Sequence, residues 1–296
     1  MIYKIRHLTA YSYNSVVASA KLALRVTPRE EAGQHIVERT LNIVPVPASI
    51  VPDTDFYGNV VHVVTIETPH KKLSIEAKAV VDVHHAANLS TPGLAWETVA
   101  NEALSLRDLT ALAPAHFIFP SPRIVLSSDI TKYVRESFSA GREIYDACRD
   151  LIRRIKKDFA YEPETTEIST SATQAFSERR GVCQDFAHIM IAGLRGLGLP
   201  AAYVSGYIRT VPPPGKERLK GADATHAWVS VWCGPLSGWV GFDPTNAVDV
   251  ADDHIALAIG RDYSDVSPVY GVFVGSGAQK LEVEVDVIPA GLRGAA

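Results

Sequence analysis

The chain has 296 residues, of which 47% are hydrophobic and 21% charged, and its 29 basic and 33 acidic residues give a net charge of −4. This composition is typical of a globular protein, and the length is enough for two domains that each bury a core. A slightly acidic chain has no electrostatic attraction for a polyanion, so we predict no nucleic-acid partner.

The N-terminus and the cysteines indicate the compartment. Residues 1–7 alternate apolar and polar side chains and lack the apolar stretch of a signal peptide. No apolar run approaches the roughly 18 residues that span a bilayer. Cys148, Cys183 and Cys233 are odd in number and form no Cys-x-x-Cys pair, which favours free thiols in a reducing compartment over disulfides or structural zinc. We therefore predict a soluble cytoplasmic protein with no membrane partner, no metal and no cofactor.

The first 90 residues predict a domain of antiparallel strands. A period of two dominates in five segments, residues 2–6, 21–26, 35–44, 60–67 and 73–83. Turn-forming segments rich in Pro, Gly, Asp and Asn separate them. We expect a β-sandwich, and this half shows no obvious group of residues for chemistry.

Residues 91–296 predict a second domain, of the α+β class. Residues 91–127 contain a short helical pattern at 96–106 and several prolines, so we expect a linker packed on the surface. Helical spacing then predicts helices at residues 128–138, 142–159, 172–178 and 183–197. Strands are predicted at residues 200–210, 226–232, 239–243, 271–274 and 281–288, with a loop that starts at Val211. Helices that precede an antiparallel sheet are typical of this class.

A cysteine opens the most apolar of these helices. Gly181 permits a tight turn just before it, so Cys183 lies in the first turn, where unpaired backbone N–H groups and the positive end of the helix dipole gather. A thiol there favours the thiolate, and the same N–H groups can stabilise an oxyanion. Cys183 is therefore a candidate nucleophile, although a cysteine beside a core stripe is more often only packed. Cys148 lies within a buried stripe and is expected to be a core residue.

A predicted hairpin brings a histidine close to an aspartate. His226 begins one strand and Asp243 ends the next. If the turn is centred at residues 234–235, the two lie directly opposite each other, with about 4.5 to 5.5 Å between Cβ atoms. Asp243 could then orient the imidazole and leave its other nitrogen for the thiol. The register is an assumption, because a bulge in residues 233–238 would shift it.

Three sequence blocks around these residues carry a resemblance to a known family. They are residues 181–188 (GVCQDFAH), 223–228 (DATHAW) and 238–246 (GWVGFDPTN). In this order they resemble the transglutaminase-like superfamily of cysteine enzymes, in its bacterial branch with a β-rich N-terminal region. Stretches at 7–13, 24–29 and 260–273 are similar to the flanking parts of that branch. The resemblance implies a papain-like core in which Cys183 is the nucleophile, His226 the base and Asp243 the residue that orients the base.

The resemblance also implies acyl transfer through a thioester on Cys183. Water as the acceptor makes the enzyme a peptide or amide hydrolase, and an amine makes it a protein-glutamine transglutaminase. We favour hydrolysis, because bacterial members of the branch are often described by analogy as cysteine proteases. A non-catalytic binding module is the alternative from another class. In each case the expected partner is a peptide or protein, and the sequence does not indicate the oligomeric state.

Three aromatic residues are candidates for the wall of a substrate groove. Trp228 and Trp239 share strand faces with His226 and Asp243, and Tyr207 lies on the strand before them. Core packing is the commoner role of an aromatic residue in such a sheet.

Two polar residues on the cysteine helix are candidates for a supporting role. Asp185 and His188 lie three residues apart, so they could hydrogen-bond near the cysteine loop or form a solvated or capping pair. Cys183, His226 and Asp243 could also bind a metal with one open position, but a cysteine at a helix start fits a thiol mechanism better.

Overall fold

The structure, a computed structural model, describes residues 1–85, 93–163, 170–210 and 224–291. The loop predicted to start at Val211 lies outside the described residues. Two four-stranded sheets and one five-stranded sheet, all antiparallel, combine with helices into an α+β fold, as predicted. Among the described residues, no helix is both long enough and apolar enough to cross a bilayer.

Six strands form the part of the chain up to residue 85. They are β1 (Ile2–Val17), β2 (Ser19–Leu24), β3 (Gln34–Val44), β4 (Ser49–Thr54), β5 (Val60–Ile66) and β6 (His70–Val83). The strand β4 was not predicted, because its residues are all exposed and therefore lack alternating hydrophobicity. Pro52 is tolerated in β4 because β4 lies at the edge of its sheet.

The rest of the described chain contains the helices and a second set of strands. The helices are α1 (Trp96–Ser105), α2 (Ser128–Arg135), α3 (Ile144–Asp158), α4 (Ala172–Glu178), α5 (Cys183–Gly196) and α6 (Tyr263–Val266). The strands are β7 (Ala160–Tyr161), β8 (Arg180–Gly181), β9 (Ala201–Ile208), β10 (Ala224–Trp232), β11 (Trp239–Asp243), β12 (Val248–Asp249), β13 (His254–Gly260), β14 (Val269–Val274) and β15 (Gln279–Gly291). The predicted surface linker is wrong in part, because Phe117 and Ile124 are fully buried.

Two sheets, with strand orders β15-β1-β6-β3 and β14-β2-β5-β4, pack into the predicted β-sandwich. Its core lies between Leu24 and Ile66 of one sheet and Leu73 and Ile75 of the other. The strands β14 and β15 come from the C-terminal stretch, which the sequence analysis assigned to the second domain. A boundary at residue 90 alone therefore leaves out two strands of the sandwich.

The second core forms where the helices cover one face of the five-stranded sheet, which we call the central sheet (order β12-β11-β10-β9-β13). Phe186 and Met190 on α5 are in one buried cluster with Tyr203 of β9 and Val229 of β10. Apolar side chains at helical spacing on α5 meet alternate residues of the strands, so burial of this helix fixes the position of its first turn against the sheet.

The sandwich packs directly against the central sheet. Tyr3 of β1 and Val81 of β6 share a buried cluster with Tyr207 of β9 and Ile255 of β13. The Tyr207 hydroxyl lies 2.7 Å from Nδ1 of His7, a buried residue of β1. Burial lowers the pKa of His7 to about 4, so the ring is neutral and this contact places no charge between the sheets.

The strand β13 lies at the edge of the central sheet, and two side-chain amides of the sandwich hydrogen-bond to the backbone groups on its outer side. The amide of Gln34 accepts from the Ala256 N–H and donates to the Ala256 carbonyl, both at 2.8 Å. Asn59 makes the same two contacts with Ile259, also at 2.8 Å. Each amide supplies the donor and acceptor that a neighbouring strand would supply, so the sandwich completes the edge of the central sheet.

Substitution of Asn59 tests this pairing. Asn59→Ala leaves the buried N–H and carbonyl of Ile259 without these partners, so we expect the free energy of unfolding to fall by roughly 2 to 4 kcal/mol. Urea denaturation followed by circular dichroism measures the loss. Asn42→Ala, at an exposed position of β3, is the matched control and should change little. Equal losses in the two variants would contradict the pairing.

Candidate active site

The cysteine loop is shaped by a buried carboxylate. Asp185 is 1% exposed, and its Oδ2 accepts the backbone N–H of Val182 at 2.9 Å. A Cβ atom at Gly181 would lie 2.7 Å from the same oxygen, so the position requires glycine. The chain therefore turns tightly into α5 and presents Cys183, which is partly exposed, in its first turn. This is the place in which the sequence analysis put Asp185, and its supporting role remains a prediction.

The structure brings the three predicted catalytic residues into one hydrogen-bonded line. Nε2 of His226 lies 2.8 Å from Oδ2 of Asp243. Hydrogen bonding to Cys183 is a further cause that raises the pKa of His226, so the thiol lies beside the imidazole. Since Nε2 is engaged with the carboxylate, Nδ1 is the nitrogen left for the thiol. His226 and Asp243 are 7% and 0% exposed, whereas the sulfur-bearing residue is partly open to solvent.

The predicted register of the hairpin was wrong by two residues. Trp232 pairs with Trp239 and Ser230 with Gly241, because the turn spans residues 234–237 and closes with a bond from the Cys233 N–H to the Gly238 carbonyl. His226 is therefore not directly opposite Asp243. A shift of two residues keeps every side chain on its face, so the two still meet diagonally across the strands.

The charges of this pair stabilise each other. Burial alone would lower the pKa of His226, but the hydrogen bonds to Asp243 and Cys183 outweigh it and raise the pKa to about 9. Burial likewise opposes ionisation of Asp243, yet the hydrogen bonds from His226 and other donors hold its pKa well below the usual range. At neutral pH the site therefore holds an imidazolium next to a carboxylate.

Asp243 has two partners that the sequence analysis did not identify. Its Oδ2 also accepts from the side-chain amide of Asn246 at 2.7 Å and lies 3.2 Å from Nε2 of His254. Its Oδ1 accepts the backbone N–H groups of Thr245 and Asn246 at 2.9 and 3.1 Å. Asn246 stands in one of the three sequence blocks, so its spacing was a usable signal. His254 begins β13, a strand that is buried at every position and so has no alternation to reveal it.

Two imidazoles and one carboxylate are also a set that can bind a divalent metal. The ligand atoms of His226, Asp243 and His254 lie within 4.8 Å of one another. They are joined by hydrogen bonds of 2.8 and 3.2 Å, so a metal would have to displace the two N–H protons and compete with Asn246 for Oδ2. The arrangement has the spacing of a hydrogen-bond network, which is how we interpret it.

The predicted groove residues occupy other positions. Tyr207 is fully buried beside His7, so its assignment to a groove wall was wrong. Trp228 is 3% exposed and packs on His226 with 6.1 Å between ring centroids, so its assignment was also wrong. Trp239 is half-buried, donates from its indole N–H to the Leu112 carbonyl and packs on Phe117, and its groove role remains a prediction. Burial of aromatic side chains decided these positions, as is usual in a packed sheet.

His188 connects α5 to α6. Its Nε2 accepts the backbone N–H of Tyr263 at 3.3 Å, and its ring packs on Tyr203. Burial lowers its pKa to about 4, so the ring is neutral. The contact supports the second turn of the cysteine helix from the side, while a hydrogen bond to Asp185 remains a prediction.

Tyr161 is an exposed aromatic side chain beside the nucleophile. It lies in β7, which pairs with β8 so that Tyr161 is next to Gly181. Partial burial and the nearby charge of Cys183 raise its pKa, which places its hydroxyl within electrostatic range of the sulfur. It is 48% exposed, so a substrate can reach its ring. Tyr161 was not among the predicted site residues.

Two family models match the chain. The model described as the bacterial transglutaminase-like N-terminal region matches residues 3–82. The model described as the transglutaminase-like superfamily matches residues 129–244, which contain all three residues of the hydrogen-bonded line.

Relatives and a solved structure extend these matches. A protein of Mycobacterium tuberculosis is 39% identical over 295 residues, which cover 97% of this chain and 92% of the relative. A protein-glutamine gamma-glutamyltransferase of Pseudomonas aeruginosa is 32% identical over 115 residues, or 36% of this chain and 17% of that protein. The crystal structure of a proposed cysteine protease from Cytophaga hutchinsonii superposes with a TM-score of 0.72 at 22% identity and covers 99% of this chain and 92% of that one. At this identity the superposition shows a shared fold.

The raised pKa of His226 predicts how stability depends on pH. Its stabilising contribution is fully present below the unfolded-state pKa of about 6.5 and is lost as the pH rises through the folded-state value of about 9. We expect this group to lower the free energy of unfolding by up to about 3 kcal/mol between pH 6.5 and pH 9.5. Urea titrations at several pH values measure the slope. His226→Gln should lose that slope, and His62→Gln, on β5 of the sandwich, should keep it.

Proposed function

The chain belongs to the transglutaminase-like superfamily, and from this premise we propose that it is a cysteine-nucleophile acyl-transfer enzyme that hydrolyses peptide or amide bonds. The observation that carries the proposal is the hydrogen-bonded line of Cys183, His226 and Asp243. The partial exposure of the nucleophile supports it further, since a substrate must reach the sulfur. These two features favour an enzyme over a binding module.

In the first half of the proposed reaction, the Cys183 thiolate attacks the carbonyl carbon of the substrate. Backbone N–H groups in the first turn of α5 face the developing oxyanion. When the C–N bond breaks, His226 gives its proton to the leaving amine, and a thioester remains on Cys183. Because the pKa of His226 is raised to about 9, the imidazole carries that proton at neutral pH. Asp243 keeps the ring oriented and compensates its charge.

In the second half, His226 removes a proton from water, and the resulting hydroxide attacks the thioester. The C–S bond breaks, a carboxylic acid is released and loses its proton to the solvent, and the thiolate and imidazolium are restored. Water requires no binding site of its own and reaches the thioester wherever the sulfur is exposed. This makes hydrolysis the simplest outcome for the site.

Transfer to an amine is the second candidate. Its support is the match of 115 residues to a relative named as a protein-glutamine gamma-glutamyltransferase. In this reaction an amine replaces water in the second half, and the product is a new amide. Tyr161 offers the same exposed ring to a substrate in either case. We also propose a reducing, cytoplasmic setting, which the three free cysteines support.

Selective alkylation tests the nucleophile. Iodoacetamide at pH 7 should label Cys183 at least roughly tenfold faster than Cys148 or Cys233. The latter two are 0% exposed, and burial raises the pKa of both thiols. Peptide mass spectrometry at timed intervals gives the three rates. His226→Ala should slow labelling of Cys183 and His62→Ala should not, whereas equal rates at all three cysteines would contradict the proposal.

The acceptor is tested by product analysis. The protein is incubated with libraries of peptides and of glutamine amides in ¹⁸O-labelled water, with and without a primary amine. Mass spectrometry then gives the masses of the products. Hydrolysis predicts a carboxylate that contains one labelled oxygen in both conditions. A predominant amide adduct in the presence of the amine would favour the transglutaminase instead. Cys183→Ala is the matched control and should give neither product.

A further inference from the structure

The second histidine at the carboxylate has a defined proton position. Nδ1 of His254 accepts the backbone N–H of Ala251 at 3.4 Å. A neutral ring therefore carries its proton on Nε2, which lies 3.2 Å from Oδ2 of Asp243. His254 is 3% exposed and Asp243 0%, so this N–H group donates to a carboxylate that water does not reach.

The ring of His254 is held on several sides. Trp228 packs edge-on against it, with 5.3 Å between centroids, and Trp228 also packs on His226. The imidazole of His85, two residues after the sandwich strand β6, lies 3.3 Å from the His254 carbonyl. Two residues further along β13, Gln34 pairs both backbone groups of Ala256. His254 therefore has little freedom to turn away from Asp243.

The charged and titratable groups around this contact come from β10, from the start of α5 and from the segments next to β9 and β13. His226 approaches from β10 and hydrogen-bonds Cys183 at the start of α5. Asp252 and Asp253 precede His254, but each has a partner in the sandwich, and Asp253 also forms an ion pair of 3.0 Å with Arg209, which follows β9. Asp252 accepts the backbone N–H of His85 at 2.8 Å, and Asp253 accepts the hydroxyl of Tyr3 at 2.7 Å. The side chain of His254 is thus directed to Asp243.

We propose that His254 is a positioning residue for the acyl-transfer site, which holds the Asp243 carboxylate through its Nε2–H so that Oδ2 stays directed at His226. The positioning role of His254 rests on the proposed function of the site. Without that donor, Oδ2 keeps His226 and Asn246 as partners, and the carboxylate can rotate about its side-chain bonds. Its hydrogen bond to His226 is then weaker, so the carboxylate stabilises the imidazolium less.

The proton position can be measured on the wild-type protein without any substitution. Long-range ¹⁵N–¹H NMR of histidine side chains distinguishes the two neutral tautomers, and the spectrum of His254→Gln assigns the His254 signals. We expect His254 to be protonated at Nε2 at pH 7. A ring protonated at Nδ1 alone would overturn the proposal, because it could not donate to Asp243.

Two substitutions then separate positioning from packing. His254→Leu removes the donor, and His254→Gln retains a side-chain N–H. We expect His254→Leu to slow iodoacetamide labelling of Cys183 at pH 7 by roughly tenfold or more, because the imidazole loses its orientation. The inflection of the rate near pH 9, where His226 loses its proton, should move down by roughly half a pH unit, because the carboxylate holds that proton less firmly. His254→Gln should recover most of the rate, and His62→Leu should match the wild type in both readouts.

The outcomes distinguish this proposal from the function on which it rests. If wild-type Cys183 is not labelled selectively, the proposed function fails and the role of His254 fails with it. If the wild type is selective but His254→Leu keeps its rate and inflection, only the role of His254 is overturned. A slower rate with an unchanged inflection and no recovery in His254→Gln shows a purely structural role, which also overturns it.

Discussion

The buried carboxylate of Asp243 is the constraint on which the site depends. An ionised group that is removed from water is very costly unless hydrogen bonds replace its hydration. Here five N–H groups do so, and they come from β10, from the turn after β11 and from the first residue of β13. The charge is stable only if all these segments are in place. The ionisation of Asp243 and the charge of His226 therefore both depend on the correct arrangement of the sheet edge.

The sandwich and the central sheet are joined by polar contacts as well as apolar ones. His7, Gln34 and Asn59 are almost fully buried at this junction, and each finds hydrogen-bond partners there. Buried polar groups that are satisfied in one arrangement penalise any other, because a shift of one residue would leave them unpaired. Apolar clusters such as the one around Tyr3 and Ile255 supply stability, and the amides determine the exact position of β13.

Much of the fold and the three central site residues could be predicted from local pattern. The helix that starts at Cys183 has a clear apolar stripe, and the strands of His226 and Asp243 have clear alternation. The pattern missed β13, which is buried at every position, and β4, which is exposed at every position. Hairpin register depends on turn length, which the sequence leaves open by two residues. The partnership of His254 with Asp243 depends on β13 and could not be anticipated without it.

The strand order of the sandwich has a consequence for folding during synthesis. The strand β1 pairs with β6 on one side and with β15 on the other. In the chain, β15 follows the whole helical part and the central sheet. A ribosome therefore releases the last sandwich strand only after the cysteine, histidine and aspartate have all been made. Until then β1 and β2 each have an unpaired edge that is open to other chains. The first domain therefore cannot be completed before the C-terminal strands have been synthesised.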